Sequence, residues 1–173
     1  MATGVPLQRP APRHLSLPNP VLALAGLATT AGVIHVVAAI EHVGDSWMLG
    51  VFFALVGAGQ LLAAWWIHRE PGDQRTLKLA AAGSAAVALL WVLSRTTGLP
   101  FGPDAGEVAS VGVADTIATF HELAFAAIVA TLVSRPGRGE RRLAWLGSGL
   151  GIRLTLVLLS ASLLIAAAGG HEH

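Results

Sequence analysis

Histidines and carboxylates stand out in a chain that is otherwise strongly apolar. The sequence has 173 residues, of which seven are His, ten are Asp or Glu and none is Cys. Imidazole and carboxylate groups are ligands for Zn, Cu(II), Mn, Fe and Ni. Without Cys, the chain has no thiolate metal site, no disulfide and no thiol nucleophile. Convergence of these His and acidic residues would therefore predict a transition-metal site.

Helical spacing brings some of these residues onto shared faces. His35 and His42 are seven residues apart, as are Asp115 and Glu122, and a seven-residue step returns to nearly the same helix face. His121 points about 100° away from Glu122 on the same helix. The candidate metal ligands are His35, His42, His121 and Glu122, with Glu41 and Asp115 as additional or outer ligands.

Other interpretations of the same residues stay open. His35 and His121 lie at similar depth on separate helices, which would suit the axial ligands of haem b in a haem- or quinone-binding redox subunit. A plain hydrogen bond between His35 and Glu122 would also satisfy both groups inside a bundle, as expected of an accessory subunit without a ligand. The segment that begins His121-Glu122 has Phe125 where a zinc protease has its second His. No catalytic residue can be assigned, so an enzymatic activity remains open.

A second polar feature is Arg95, which precedes a Gly- and Pro-rich segment. Gly98 suits a helix C-cap, and the following Pro residues prevent the helix from continuing. We expect Arg95 to pair with Asp104, Glu107 or Asp115 and to pin the loop 98–112 over the mouth of the bundle. The alternative is a cation that extends to the membrane interface at the end of a helix.

The elements that must position these residues are apolar helices. The composition is 54% hydrophobic and 12% charged, about half the charged share of a soluble domain. Continuous apolar runs of about 20 residues predict helices that cross a membrane. The sequence thus predicts an all-α, polytopic transmembrane bundle in which Gln60 joins helices by hydrogen bonding. The five predicted spans are 20–42, 47–68, 77–97, 113–134 and 143–168.

Basic residues predict how this bundle is oriented. Arg and Lys residues precede the first run and fill the loops between the second and third and between the fourth and fifth runs. The positive-inside rule then places the N-terminus in the cytoplasm and the C-terminus outside. The candidate ligands consequently lie at the non-cytoplasmic end of a multi-pass protein of the cell membrane.

The two ends of the chain are polar. Residues 1–19 form a Pro-rich segment, predicted to be a mobile cytoplasmic tail, and residues 170–173 contain His171, Glu172 and His173, an exposed collector of divalent ions with low specificity. The predicted partner is the lipid bilayer, and both a homo-oligomer and a subunit of a membrane complex are compatible with the sequence. Nucleic acid is not expected, because no basic patch with interleaved aromatic residues occurs.

Overall fold

The fold is an antiparallel array of long helices. The computed structural model describes residues 19–102, 104–135 and 138–169, and within these ranges it contains helices and no strand. The predicted all-α helical bundle is confirmed. The helices are α1 (Asn19–His42), α2 (Trp47–Arg69), α3 (Gln74–Thr96), α4 (Val113–Ser134), the short α5 (Arg138–Leu143), a 3₁₀ turn (Ala144–Gly147) and α6 (Gly149–Gly169).

Five of these helices are long and apolar enough to cross a membrane. Their apolar spans contain 20 to 23 residues, which corresponds to about 30–35 Å. This length matches the hydrocarbon core of a bilayer, so the fold is compatible with an integral membrane protein. Of the predicted tails at 1–19 and 170–173, only Asn19 lies within the described residues, where it is the first residue of α1.

The last long helix begins later than the sequence suggests. The apolar run starts at residue 143, but α6 starts at Gly149, after the 3₁₀ turn. Ser148 ends that turn, and its hydroxyl accepts a hydrogen bond from the Gly151 amide at 3.1 Å. Arg153 therefore lies only about one turn inside α6, and its side chain is exposed. This position lets its guanidinium reach the membrane interface.

The two ends of the bundle differ in charge. We call them the His42 end, where α1 and α3 finish, and the Arg69 end, where α2 and α4 finish. Asp73 caps α3 at the Arg69 end by accepting from the Arg75 amide at 3.0 Å. A hydrogen bond from the Thr76 hydroxyl is the main cause of the lowered pKa of this exposed carboxyl. Loop and helix-end Lys and Arg residues gather mainly at the Arg69 end, which the positive-inside rule predicts to be cytoplasmic.

Helix α1 is the centre of the bundle. It packs against α2, α4 and α6, and α3 packs against α4, whereas α2 and α3 contact each other little. The opposite faces of the long helices expose large apolar side chains, as is typical of a surface in contact with lipid. The buried apolar core lies towards the Arg69 end and consists of Val21, Leu24, Ala28, Ala64, Ile67, Leu77, Phe125 and Val129.

Two glycines bring α1 and α2 close together. A Cβ atom added to Gly57 would lie 2.9 Å from the Gly32 carbonyl oxygen and 3.1 Å from the Val36 amide nitrogen. A Cβ atom added to Gly32 would lie 3.2 Å from the Gly57 carbonyl oxygen. The two backbones are therefore in direct contact, a packing that small residues allow in membranes.

Replacing Gly57 with alanine is expected to destabilise the bundle by about 1–3 kcal/mol, because the added methyl group meets backbone atoms that cannot move aside. Gly59→Ala is the matched control, since a Cβ atom there meets nothing within 4 Å. Both substitutions raise helix propensity by the same amount, so the difference between the stabilities of the two variants isolates the effect of the close contact between α1 and α2. Reversible unfolding in detergent measures it, and equal stabilities of the two variants would contradict the close approach.

Candidate functional site

Three polar side chains from three helices meet in the interior of the bundle. They are His35 of α1, Gln60 of α2 and Glu122 of α4, which we call the interior cluster. The Gln60 amide nitrogen lies 2.9 Å from Glu122 Oε1, and Gln60 Oε1 lies 3.0 Å from His35 Nδ1. His35 Nε2 lies 3.7 Å from the same Glu122 Oε1. The three groups therefore form a closed ring of polar contacts at one level.

The close contact of α1 and α2 at Gly32 and Gly57 determines the level at which the interior cluster lies. His35 follows Gly32 by three residues, and Gln60 follows Gly57 by three residues. On antiparallel helices these steps run in opposite directions, which separates the two Cα levels by about 9 Å. Helical side chains lean towards the N-terminus of their own helix, so His35 leans towards the Arg69 end and Gln60 towards the His42 end. The two side chains thus meet near the level of the crossing.

The contacts define which atoms carry hydrogen. His35 Nδ1 faces two acceptors, the Ala31 carbonyl oxygen at 2.9 Å and Gln60 Oε1. Nδ1 therefore carries a hydrogen and donates it, and proton gain or loss falls on Nε2. The Gln60 amide has the matching orientation, since its oxygen accepts from His35 and its nitrogen donates to Glu122. The atom that faces the Glu122 carboxyl is consequently the one imidazole nitrogen that can change its protonation.

Burial makes the interior cluster unusual. Glu122 is 1% exposed and His35 is 6% exposed. Glu122 Oε2 is buried and has no hydrogen-bond partner among the described residues. An unsatisfied carboxylate oxygen is expensive in an apolar interior, whereas a protonated carboxyl needs less compensation. His35 and Glu122 together can remain electrically neutral with one shared proton, either on the carboxyl or on Nε2.

The remaining predicted ligands lie elsewhere. His42 Nδ1 donates to the Ala38 carbonyl oxygen at 2.9 Å, and Phe53 lies against both His42 and His35, with ring centroids 5.2 and 5.8 Å apart. His121 is 9% exposed, and its Nδ1 donates to the carbonyl oxygen of Ile117 on its own helix.

The structure thus brings together two of the predicted ligands, His35 and Glu122, and separates the others. Glu41 is exposed, and Asp115 binds Arg95 instead. Within the described ranges, no three His, Asp or Glu side chains form a group that could hold a metal ion. The metal hypothesis therefore gains no support from this geometry. For the haem hypothesis, His35 Nε2 faces Glu122, and no ring contact or hydrogen bond joins His35 to His121 in the part of the chain described.

A second polar site, which we call the Arg95 cluster, lies at the His42 end and consists of Trp91, Ser94, Arg95 and Asp115. Arg95 forms an ion pair with Asp115, and the Trp91 indole donates to the same carboxylate oxygen at 3.0 Å. The Arg95 guanidinium also lies over the Trp91 ring, 5.4 Å from its centroid, and donates to the Ser94 hydroxyl at 2.7 Å. Of the three acids considered from sequence, Arg95 thus pairs with Asp115, while Asp104 and Glu107 are exposed.

Backbone hydrogen bonds connect the loop after α3 to the end of the helix that carries the Arg95 cluster. The Ala109 amide donates to the Ser94 carbonyl oxygen at 2.9 Å, and the Gly106 amide donates to Leu99 at 2.7 Å. Gly98 has a φ of +72°, and a Cβ atom there would lie 2.6 Å from the Gly106 carbonyl carbon. Only glycine satisfies both constraints. The loop is therefore fixed on the helix it follows.

Gln60 is the member of the interior cluster that a count of helix positions misplaces. Such a count puts it closer to the Arg69 end than the histidines, because it ignores the opposite lean of side chains on antiparallel helices. The available signal is the paired spacing, with a glycine three residues before His35 and another three residues before Gln60.

Comparison with protein-family models, with curated proteins and with solved structures finds no significant match.

Proposed function

We propose that this chain is an integral membrane protein that takes up and releases a proton inside its helical bundle, at the His35–Glu122 pair. The observation that carries the proposal is the environment of Glu122. Its carboxyl is almost completely buried at mid-bundle, one oxygen faces both Gln60 and the titratable nitrogen of His35, and the other oxygen has no partner in the described part of the chain. Ionisable groups inside a span are costly and usually serve transport, proton transfer or ligand binding.

The geometry supports proton exchange over a static cross-link. The 3.7 Å between His35 Nε2 and Glu122 Oε1 is longer than a hydrogen bond. A purely structural pair would be expected to close this gap and to satisfy Oε2. Here Gln60 holds both partners in place, and a small approach of the two groups would let a proton pass between them. Because the pair with one proton is neutral, transfer between its two groups moves little net charge in the apolar interior, whereas uptake or release of a proton changes the charge of the pair by one.

The proposal predicts that His35 and Glu122 titrate as a unit. Side-chain ¹⁵N signals of His35 and the ¹³C carboxyl signal of Glu122, measured on the full chain in bilayers from about pH 5 to about pH 8, are expected to change together. Glu122→Gln is expected to move the titration of His35, because the amide keeps the shape of the carboxyl but neither gains nor loses a proton in this pH range. The control His42→Gln alters an imidazole that lies beyond Phe53 and is expected to leave the His35 titration in place.

Constant signals for both groups across this range would overturn the proposal and identify the interior cluster as a fixed structural link. Independent titration of His35, unchanged in Glu122→Gln, would also overturn it, because the two groups would then share no proton.

A further inference from the structure

A groove between α2 and α3 leads to the interior cluster from the lipid side. It contains a cavity of about 280 Å³ that is open to one side, and Ala28 and Phe125 contribute to its lining. It exists because α2 and α3 pack loosely and face each other through small residues. Gly59 and Gly83 both line the cavity, and a Cβ atom added to either would meet nothing within 4 Å.

Two polar groups line this otherwise apolar space. Ser84 is 9% exposed, and its hydroxyl has no hydrogen-bond partner among the described residues. Gln60 also lines the cavity; it uses one amide hydrogen on Glu122 and has a second one left. Both groups can therefore donate a hydrogen bond. Among the described residues, no ionisable side chain lines the cavity, so the complementary group is a neutral acceptor.

Depth restricts the source of that acceptor. Ser84 lies ten residues from the start of α3 and twelve from its end, which places it about 15–18 Å from either end of the helix. Gln60 lies about 14 Å from one end of α2 and about 20 Å from the other. The ester carbonyls of membrane lipids belong to the interfacial region and do not reach this depth. A freely diffusing lipophilic molecule does.

We propose that the α2–α3 groove binds a neutral lipophilic molecule with a ring carbonyl, of the quinone class. The small residues leave room for a flat ring, and the Ser84 hydroxyl and the free Gln60 N–H would donate to its carbonyl oxygens. The apolar body would extend through the open side of the groove into lipid. This inference goes beyond the proton site and does not require it, although Gln60 belongs to both and would place the ring beside Glu122.

Photoaffinity labelling tests this assignment on the full chain in lipid bilayers. The probe is an azido derivative of a short-chain ubiquinone, and excess unmodified short-chain ubiquinone is the competitor. Peptide mapping is expected to show competed labelling confined to the helices that line the groove, chiefly α2 and α3. Gly83→Leu fills the groove and is expected to remove most of this labelling, whereas Ala82→Leu, exposed on the same helix and outside the cavity lining, is expected to keep it. Ser84→Ala removes one hydrogen bond and is expected to weaken competition about fivefold.

Two results would overturn the inference. Labelling that is spread over exposed faces such as α6, or that is not reduced by the competitor, would show that the probe partitions into lipid without binding specifically in the groove. Labelling that is equal in Gly83→Leu and Ala82→Leu would place the bound probe elsewhere. Repeating the His35 titration in Gly83→Leu keeps the two proposals separate. If this variant loses the labelling but keeps the titration, both sites are supported. If the wild-type protein is labelled but His35 does not titrate, only the proton site is rejected.

Discussion

Replacing Glu122 with leucine is expected to lower the free energy of unfolding by about 2–4 kcal/mol. The substitution removes the acceptor for the Gln60 amide and the group that faces His35 Nε2, both at a buried site. Each buried polar group left without a partner costs about 1–3 kcal/mol. The relief of the unpartnered Oε2 offsets part of this loss. Reversible unfolding in mixed detergent measures the effect, and Glu41→Leu is the control because Glu41 is an exposed acid on α1.

Removing the whole interior cluster is expected to restore most of that loss. The triple variant His35→Leu, Gln60→Leu and Glu122→Leu leaves no orphaned polar group, and apolar replacement of all partners is often close to neutral. A triple variant more stable than Glu122→Leu would show that the interior cluster is retained for something other than stability. A triple variant that loses the sum of three independent effects would show that the three groups are not coupled.

The fold could be predicted from the sequence because a lipid environment places strong constraints on the backbone. An apolar run of about 20 residues in a bilayer must satisfy its backbone internally, and a helix is the simplest solution. The run from Trp47 onwards therefore predicts α2, and the structure has this helix over Trp47–Arg69. The start of α6 was less accessible, because Leu143 to Gly147 is as apolar as the helix itself. Only the local hydrogen bonds around Ser148 separate the 3₁₀ turn from α6.

The interior cluster could be predicted from the sequence only in part. Depth counting and helical periodicity are enough to pair His35 with Glu122, since both lie in spans and neither is easily buried alone. The same reasoning cannot fix helix rotation, which decides that Glu122, and not its neighbour His121, faces His35. Nor can it place Gln60, whose contact with His35 depends on the Gly32–Gly57 crossing and on the lean of side chains. These are properties of a helix pair rather than of either helix.

Replacing Arg95 with alanine is expected to lower the free energy of unfolding by about 2 kcal/mol and to loosen the loop after α3. The side chains of Arg95 and Asp115 are 21% and 29% exposed, so their pair lies between exposed pairs, worth about 0–1 kcal/mol, and buried pairs, which cost about 3–5 kcal/mol to break. The substitution also removes the cation that lies over the Trp91 ring and the donor to the Ser94 hydroxyl, which keeps its own hydrogen bond to the Trp91 carbonyl oxygen. Faster hydrogen exchange at the Gly106 and Ala109 amides would report the loosened loop.

A double-mutant cycle between Arg95 and Asp115 separates the contribution of the ion pair from that of the other contacts in the Arg95 cluster. Asp115→Asn removes the charge but keeps an oxygen that can accept from the Trp91 indole, so Arg95→Ala combined with Asp115→Asn is expected to be more stable than Arg95→Ala alone. Arg153→Ala is the control, because Arg153 is an exposed arginine near the opposite end of the bundle. Purely additive losses, with unchanged exchange at Gly106 and Ala109, would mean that the charge pair does not hold the loop. The left-handed backbone at Gly98 and the hydrogen bond from Ala109 to Ser94 would then be sufficient to fix it.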